Sequence, residues 1–125
     1  MKGAAPVNTL FKGRFGESAA ASYLKKKGYK IVGMGYRSRF GEIDIIAENK
    51  DYIVFAEVKS RKSGSFARAM EYVDSGKQRR IRTTAQIWLS QNAASKQPRF
   101  DVLEVYGSLE DGGTDLVINH IENAF

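Results

Sequence analysis

Cysteine is absent from the 125 residues. That excludes zinc ribbons, iron–sulfur sites, thiol catalysis and a disulfide framework, and it is compatible with a reducing compartment. The single histidine, His120, leaves little room for a catalytic triad or a His-rich metal site, and it is expected at the surface or at a sheet end. The only two prolines, Pro6 and Pro98, lie outside the strongly patterned segments, and no repeat or low-complexity tract interrupts the chain. No stretch approaches the roughly 20 apolar residues of a membrane span. The N-terminal MKGAAPVNTLFKGRFGE also lacks the apolar centre of a signal peptide. A soluble, cytoplasmic protein is expected. With 42% hydrophobic residues, residues 1–125 suffice for one domain with its own core, with residues 1–11 expected to be a flexible lead.

What is present is basic charge, unevenly placed. Twenty Lys and Arg against fourteen Asp and Glu give +6. Between Lys59 and Arg82, eight basic residues (Lys59, Arg61, Lys62, Arg68, Lys77, Arg79, Arg80, Arg82) face only Glu71 and Asp74, so this window carries the whole excess. A localised excess on a folded domain is the electrostatic footprint of polyanion binding, nucleic acid first; a solvated basic face is the alternative.

Alanines with Tyr23 and Leu24 predict a helix from about Gly13 to Lys27, stopped by Gly28, with Lys25 to Lys27 favouring the negative end of its dipole. Tyr29 to Tyr36 reads as a strand, and GEIDIIAENKDYIVFAEVKSR as two strands around a turn at Glu48 to Asp51. Their nearly unbroken apolar content places them centrally in a sheet covered on both faces. Ser65 to Asp74 is a loop or short helix. A second helix runs from Gly76 to about Gln91, with Ile81, Ala85, Trp88 and Leu89 as its buried stripe. Arg99 to Tyr106 and Leu116 to Ile121 are further strands around GSLEDGGT. The order αβββαββ predicts an α/β fold on a mixed sheet.

Charges interrupt the two most buried strands at Asp44 and at Glu57 and Lys59. Buried charge is costly unless paired or metal-bound. Glu57 and Lys59 share a face by their spacing of two. A two-residue turn at Asn49 and Lys50 would set Asp44 opposite Phe55, with Glu57 its diagonal neighbour at roughly 7 to 8 Å on the same face. A three-residue turn would separate them. Glu17 lies about 20° from Leu24 around the helix and faces the core. Glu17, Asp44 and Glu57 could together hold Mg²⁺ or Mn²⁺, with Lys59 orienting or deprotonating a water or stabilising phosphate charge, which suits metal-assisted phosphodiester hydrolysis. The alternative for each is an ordinary ion pair. Glu42 competes as a ligand, although its place after Gly41 favours exposure. Lys77, Arg79, Arg80 and Arg82 crowd a helix N-terminus where the dipole disfavours cations, so a nucleic-acid phosphate is the expected compensation. The loop SRKSGSF, with Arg61 and Lys62, would extend that surface. No aromatic ladder is evident, which favours backbone and shape recognition over base stacking.

The segments GEIDIIA, VFAEVKSR, RFDV and the terminal IENAF, with KGRFGE near the start, resemble the YraN-like proteins. That bacterial family is placed in the PD-(D/E)xK nuclease superfamily and is similar to the archaeal Holliday junction resolvases. The resemblance runs from Lys12 to Phe125 and implies a restriction-endonuclease-like core. By it, Asp44, Glu57 and Lys59 match the superfamily's catalytic acid, second acid and lysine, and Glu17 matches the first-helix glutamate of the resolvases. Ile43 stands where a proline is usual, a departure that removes no ligand. The resemblance implies a Mg²⁺-dependent hydrolase, an endodeoxyribonuclease acting on branched DNA in repair or processing, and it admits a homodimer. A non-catalytic nucleic-acid-binding module of the same fold is the alternative, and a protein-interaction domain with purely structural charges is a third reading.

Overall fold

A computed structural model describes residues 4–61, 73–92, 95–107 and 116–125; the side chains of residues 4–14 and of Arg61 lie outside the description. Helix α1 spans Ala4–Lys26. It starts well before Gly13, so residues 4–11 carry helical backbone; Pro6 falls in the first turn, where its missing N–H has no intrahelical partner to lose. Its end follows from Gly28, at φ 98°: the Gly28 amide donates to the Lys25 carbonyl at 3.0 Å and the Tyr29 amide to the Leu24 carbonyl at 3.0 Å. This is the Schellman arrangement that a residue without Cβ permits.

Strands β1 (Lys30–Ser38), β2 (Gly41–Glu48) and β3 (Tyr52–Arg61) precede helix α2 (Ser75–Asn92), and β4 (Gln97–Tyr106) and β5 (Val117–Ile121) follow it. The expected order is therefore found. The sheet runs β1-β2-β3-β4-β5, with β3 and β4 parallel and the other neighbours antiparallel. The parallel pair needs a crossover, which contains α2. Among the described residues the result is an α/β fold with a mixed five-stranded sheet between two helices, consistent with a restriction-endonuclease-like core.

Alternation along the strands creates two cores. Ala20 and Leu24 of α1 pack on Ile45, Ala47, Val54, Ala56, Leu103 and Val105. Ile81 and Ala85 of α2 pack on Ile46, Ile53, Phe55 and Val102, with Trp88 and Leu89 at the margin, so the expected stripe of α2 faces the sheet. Among the described residues no helix is long and apolar enough to cross a membrane.

The β2–β3 turn corrects the expected register. Ile46, not Asp44, lies opposite Phe55. Asn49 lengthens the connection: its Oδ1 accepts from the amides of Asp51 (3.0 Å) and Tyr52 (2.8 Å), and its own amide donates to the Tyr52 carbonyl. A local Asx turn thus replaces the two-residue loop. The slip is two residues, so the paired side chains from Ile45 to Glu48 keep their faces. Ladder pairing ends at Ile45 opposite Ala56, and the next pair along the same register would be Asp44 and Glu57.

Candidate active site

Where β2 leaves the ladder, the Asp44 side chain takes over the strand's role: its Oδ2 accepts the Val58 amide at 2.8 Å. Strict alternation also breaks here, since Ile43 and Ile46 both join the α2 core while Ile45 faces α1. Asp44 is half-buried. Burial raises its pKa; the Val58 amide opposes this, Glu42 adds to it, and Lys77 and Lys59 counter it, leaving the net direction upward.

Glu57 is 3% exposed and points from β3 toward α2. Its Oε1 lies 3.3 Å from the Lys77 Nζ, while Oε2 is buried without a hydrogen-bond partner. Burial first, and then the Asp44 charge, push its pKa up to about 7. Lys59, on the same strand face, falls to about 8 through burial and its contact with Lys77. Burial works against charge on Lys77 too, but its hydrogen bond with Lys59 and the Glu57 carboxylate outweigh burial and raise its pKa. Two amines share a hydrogen bond only when one has lost its proton, and these opposite shifts make Lys59 the first of the pair to give its proton up.

Glu17 enters from the other helix. At Gly16 a Cβ would run into the Ser60 side chain, so α1 approaches β3 closely just before Glu17. Burial, Asp44 and Glu42 raise the Glu17 pKa in that order. Asp44 therefore joins two neighbourhoods, one with Glu17 and Glu42 and one with Glu57, Lys59 and Lys77. Glu42 itself is exposed, as expected, and lies 3.6 Å from Arg37.

Among the described residues no group of three or more His, Asp or Glu side chains is placed to hold a metal ion. In donor chemistry alone, carboxylate oxygens with one buried oxygen of Glu57 unpartnered are of the type that hard cations take.

The four basic residues of α2 do not act as one patch. Lys77 turns inward to Glu57, Arg79 and Arg80 are exposed, and the Arg82 guanidinium lies over the rings of Phe100 (4.8 Å) and Phe125 (5.8 Å). Nor is the helix N-terminus left open for a phosphate, because Asp74 caps it: its Oδ1 accepts the Lys77 amide at 2.8 Å. The Arg61 side chain, Lys62, and the Ser65 to Tyr72 part of the connection lie outside the described residues.

Two buried acids in β4 escaped the sequence reading. Asp101 is fully buried and bound by Arg99 (Nε 2.9 Å, Nη2 2.8 Å), the His120 Nε2 (2.6 Å) and the Asn123 amide (3.0 Å). His120 is consequently no surface residue: its side chain is 3% exposed, with Nδ1 3.2 Å from the Tyr23 hydroxyl. Glu104 is 2% exposed; its Oε1 accepts from Asn119 at 2.8 Å and its Oε2 has no partner. Glu104 pairs in register with Lys59 and so lies on the site's sheet face. The signal was available, since Asp101 and Glu104 interrupt apolar runs just as Asp44 does.

A family profile described as "Uncharacterised protein family UPF0102" matches residues 16–105. UPF0102 proteins similar to this chain include one from Caldanaerobacter subterraneus subsp. tengcongensis, 48% identical over 120 residues, covering 95% of this chain and 98% of the relative. One from Alkaliphilus oremlandii is 47% identical over 90% of this chain and 96% of its own length. One from Clostridioides difficile is 45% identical over 95% of this chain and 100% of its own length.

Proposed function

The chain belongs to the UPF0102 family, and we propose that it is a Mg²⁺-dependent endonuclease hydrolysing phosphodiester bonds of structured or branched DNA, in line with its resemblance to the PD-(D/E)xK nucleases and archaeal Holliday junction resolvases. The observation that carries this reading is Glu57, almost wholly buried, with one oxygen lacking a partner, one residue before the Val58 amide that Asp44 accepts and two residues before a lysine with a lowered pKa. A buried acid left short of a partner is a place that a cation or a proton fills. Asp44 and Glu57, with Glu17 reaching in from α1, would hold Mg²⁺ or Mn²⁺. When bound there, such an ion would supply Lewis acidity toward water and phosphate oxygens. Lys59, with a pKa of about 8, is neutral in part near physiological pH, and that fraction takes the proton of an attacking water at Nζ. Lys77, kept charged, stabilises negative charge building on the phosphate, and the exposed Arg79 and Arg80 contact the DNA backbone.

The test is cleavage of labelled four-way junction, flap, single-stranded and duplex DNA in Mg²⁺ and Mn²⁺, with Asp44→Ala and Lys59→Ala prepared in parallel. Product from the wild type alone is expected. Equal product from the variants would assign the activity to a contaminant and refute the reading. A second reading, a non-catalytic nucleic-acid-binding module of nuclease fold, is favoured by one observation: the Lys77 ammonium already sits on the Glu57 Oε1 as an internal counter-ion. Salt-dependent, metal-independent binding without cleavage of any substrate would select it.

A further inference from the structure

The β1–β2 hairpin closes with Ser38 opposite Gly41, leaving Arg39 and Phe40 as its tip. Neither is a turn-forming residue, and neither adopts positive φ. Phe40 is 45% exposed and contributes to neither core cluster, so its identity is explained neither by turn chemistry nor by packing.

The tip is nevertheless held firmly. The Phe40 amide donates to the Ser38 hydroxyl at 3.0 Å, and that hydroxyl shares a 2.8 Å hydrogen bond with the Thr84 hydroxyl of α2. One residue on, Gly41 abuts Arg80, where a Cβ would stand 3.4 Å from the Arg80 Cβ. The ring is thus presented by a hairpin anchored to a helix, which limits the ordering cost of a contact. Its surroundings are cationic on balance, three arginines against one acid, Glu42, which lies 3.6 Å from Arg37. The Arg39 guanidinium lies 5.4 Å from the ring centroid, and Arg37, Arg39 and Arg80 are all exposed. An apolar protein partner would have to desolvate these guanidinium groups, whereas a nucleotide offers a π face for the ring and a phosphate for the arginines.

Position supplies the remaining link. Phe40 continues directly into β2 and lies four residues before Asp44, roughly 13 Å along an extended strand, or about four base steps of DNA. We propose that the Arg39–Phe40 tip is a base-stacking finger, Phe40 taking the face of an unpaired nucleobase in branched or bulged DNA while the neighbouring arginines contact its phosphates. This rests on the DNA reading above and names what within the DNA is recognised.

The experiment compares the affinity of the full chain for two labelled duplexes of equal length by fluorescence anisotropy at low salt, without divalent metal. One duplex is fully paired and the other carries a single unpaired 2-aminopurine. Phe40→Ala is expected to weaken binding of the bulged duplex about 5- to 150-fold, the range for loss of one stacked base, while changing the paired duplex less than about twofold. Phe40→Trp is expected to retain affinity and to quench the 2-aminopurine. Unchanged binding of both duplexes by Phe40→Ala, or equal loss on both, would overturn the finger and leave DNA binding standing. No binding of either duplex by the wild type would overturn the DNA reading itself and, with it, the finger. Circular dichroism of each variant separates loss of contact from loss of fold.

Discussion

Replacing Glu57 by glutamine is expected to stabilise the metal-free protein at pH 8 and to change it little at pH 5. Burial and the Asp44 charge raise the Glu57 pKa from the usual 4.5 to about 7. An acid raised in this way binds more protons folded than unfolded between those values, so its favourable contribution is complete below pH 4.5 and is lost as pH rises through 7. The loss amounts to about 3 kcal/mol. Glutamine keeps the shape and offers an oxygen to Lys77, but it does not ionise. For a domain of this size that difference is a rise in Tm of roughly 10 °C at pH 8. Asp44 is shifted in the same direction, so the slope should lessen in Glu57→Gln and not vanish. Lys59, lowered to about 8, acts with the opposite sign and mainly above pH 8, outside the tested window. The assay is urea denaturation in EDTA at intervals from pH 5 to 8, repeated with Mn²⁺. Parallel stability curves for wild type and Glu57→Gln would refute the reasoning, as would equal stabilisation of both by Mn²⁺.

Two further outcomes concern the scaffold. Asp101→Asn should cost about 3–5 kcal/mol at pH 7 by urea denaturation, because the buried Arg99 loses its partner. Burial pushes the Asp101 pKa up, but His120 and Arg99 outweigh it and hold it below the usual value, so its stabilisation is present above the ordinary carboxylate pKa and lost in acid; the variant's deficit should shrink toward pH 2. Gly16→Ala should be nearly neutral, the Ser60 hydroxyl rotating away while the helix gains about 1 kcal/mol of propensity. Gly16→Leu should cost about 1–3 kcal/mol by lifting α1 from β3, a difference read by thermal denaturation.

The order of elements and the shared face of Glu57 and Lys59 were legible because both depend on period and parity. The register was not, because one side chain set it: Asn49 caps the turn and moves the pairing by two residues, so that the ladder ends at Ile45 opposite Ala56 and Asp44 bonds the Val58 amide through its side chain. Crowding of cations at the N-terminus of α2 makes Lys77 a candidate phosphate ligand. Its position carried a better signal, since Lys77, Ile81 and Ala85 recur at intervals of four and the last two are buried. The charged residue is the first turn of the buried stripe, and it meets the sheet where Glu57 lies.

A charge inside an apolar strand has two possible meanings, and this sheet holds both. Asp101 accepts four hydrogen bonds from Arg99, His120 and the Asn123 amide, and its pKa is held down. Such an acid completes its environment and needs nothing from outside. Glu57 has one oxygen on Lys77 and the other on nothing, and its pKa is raised by burial and by Asp44. The two signals look alike in sequence because each is an acid between apolar neighbours; what separates them is the supply of donors from other elements, which no local pattern records. Glu104, with Oε2 unpartnered and Lys59 beside it in register, is deficient in the same way as Glu57. Deficient acids gathered on one sheet face, and a satisfied one on the other, place the unmet demand for positive charge on the α2 side of the sheet.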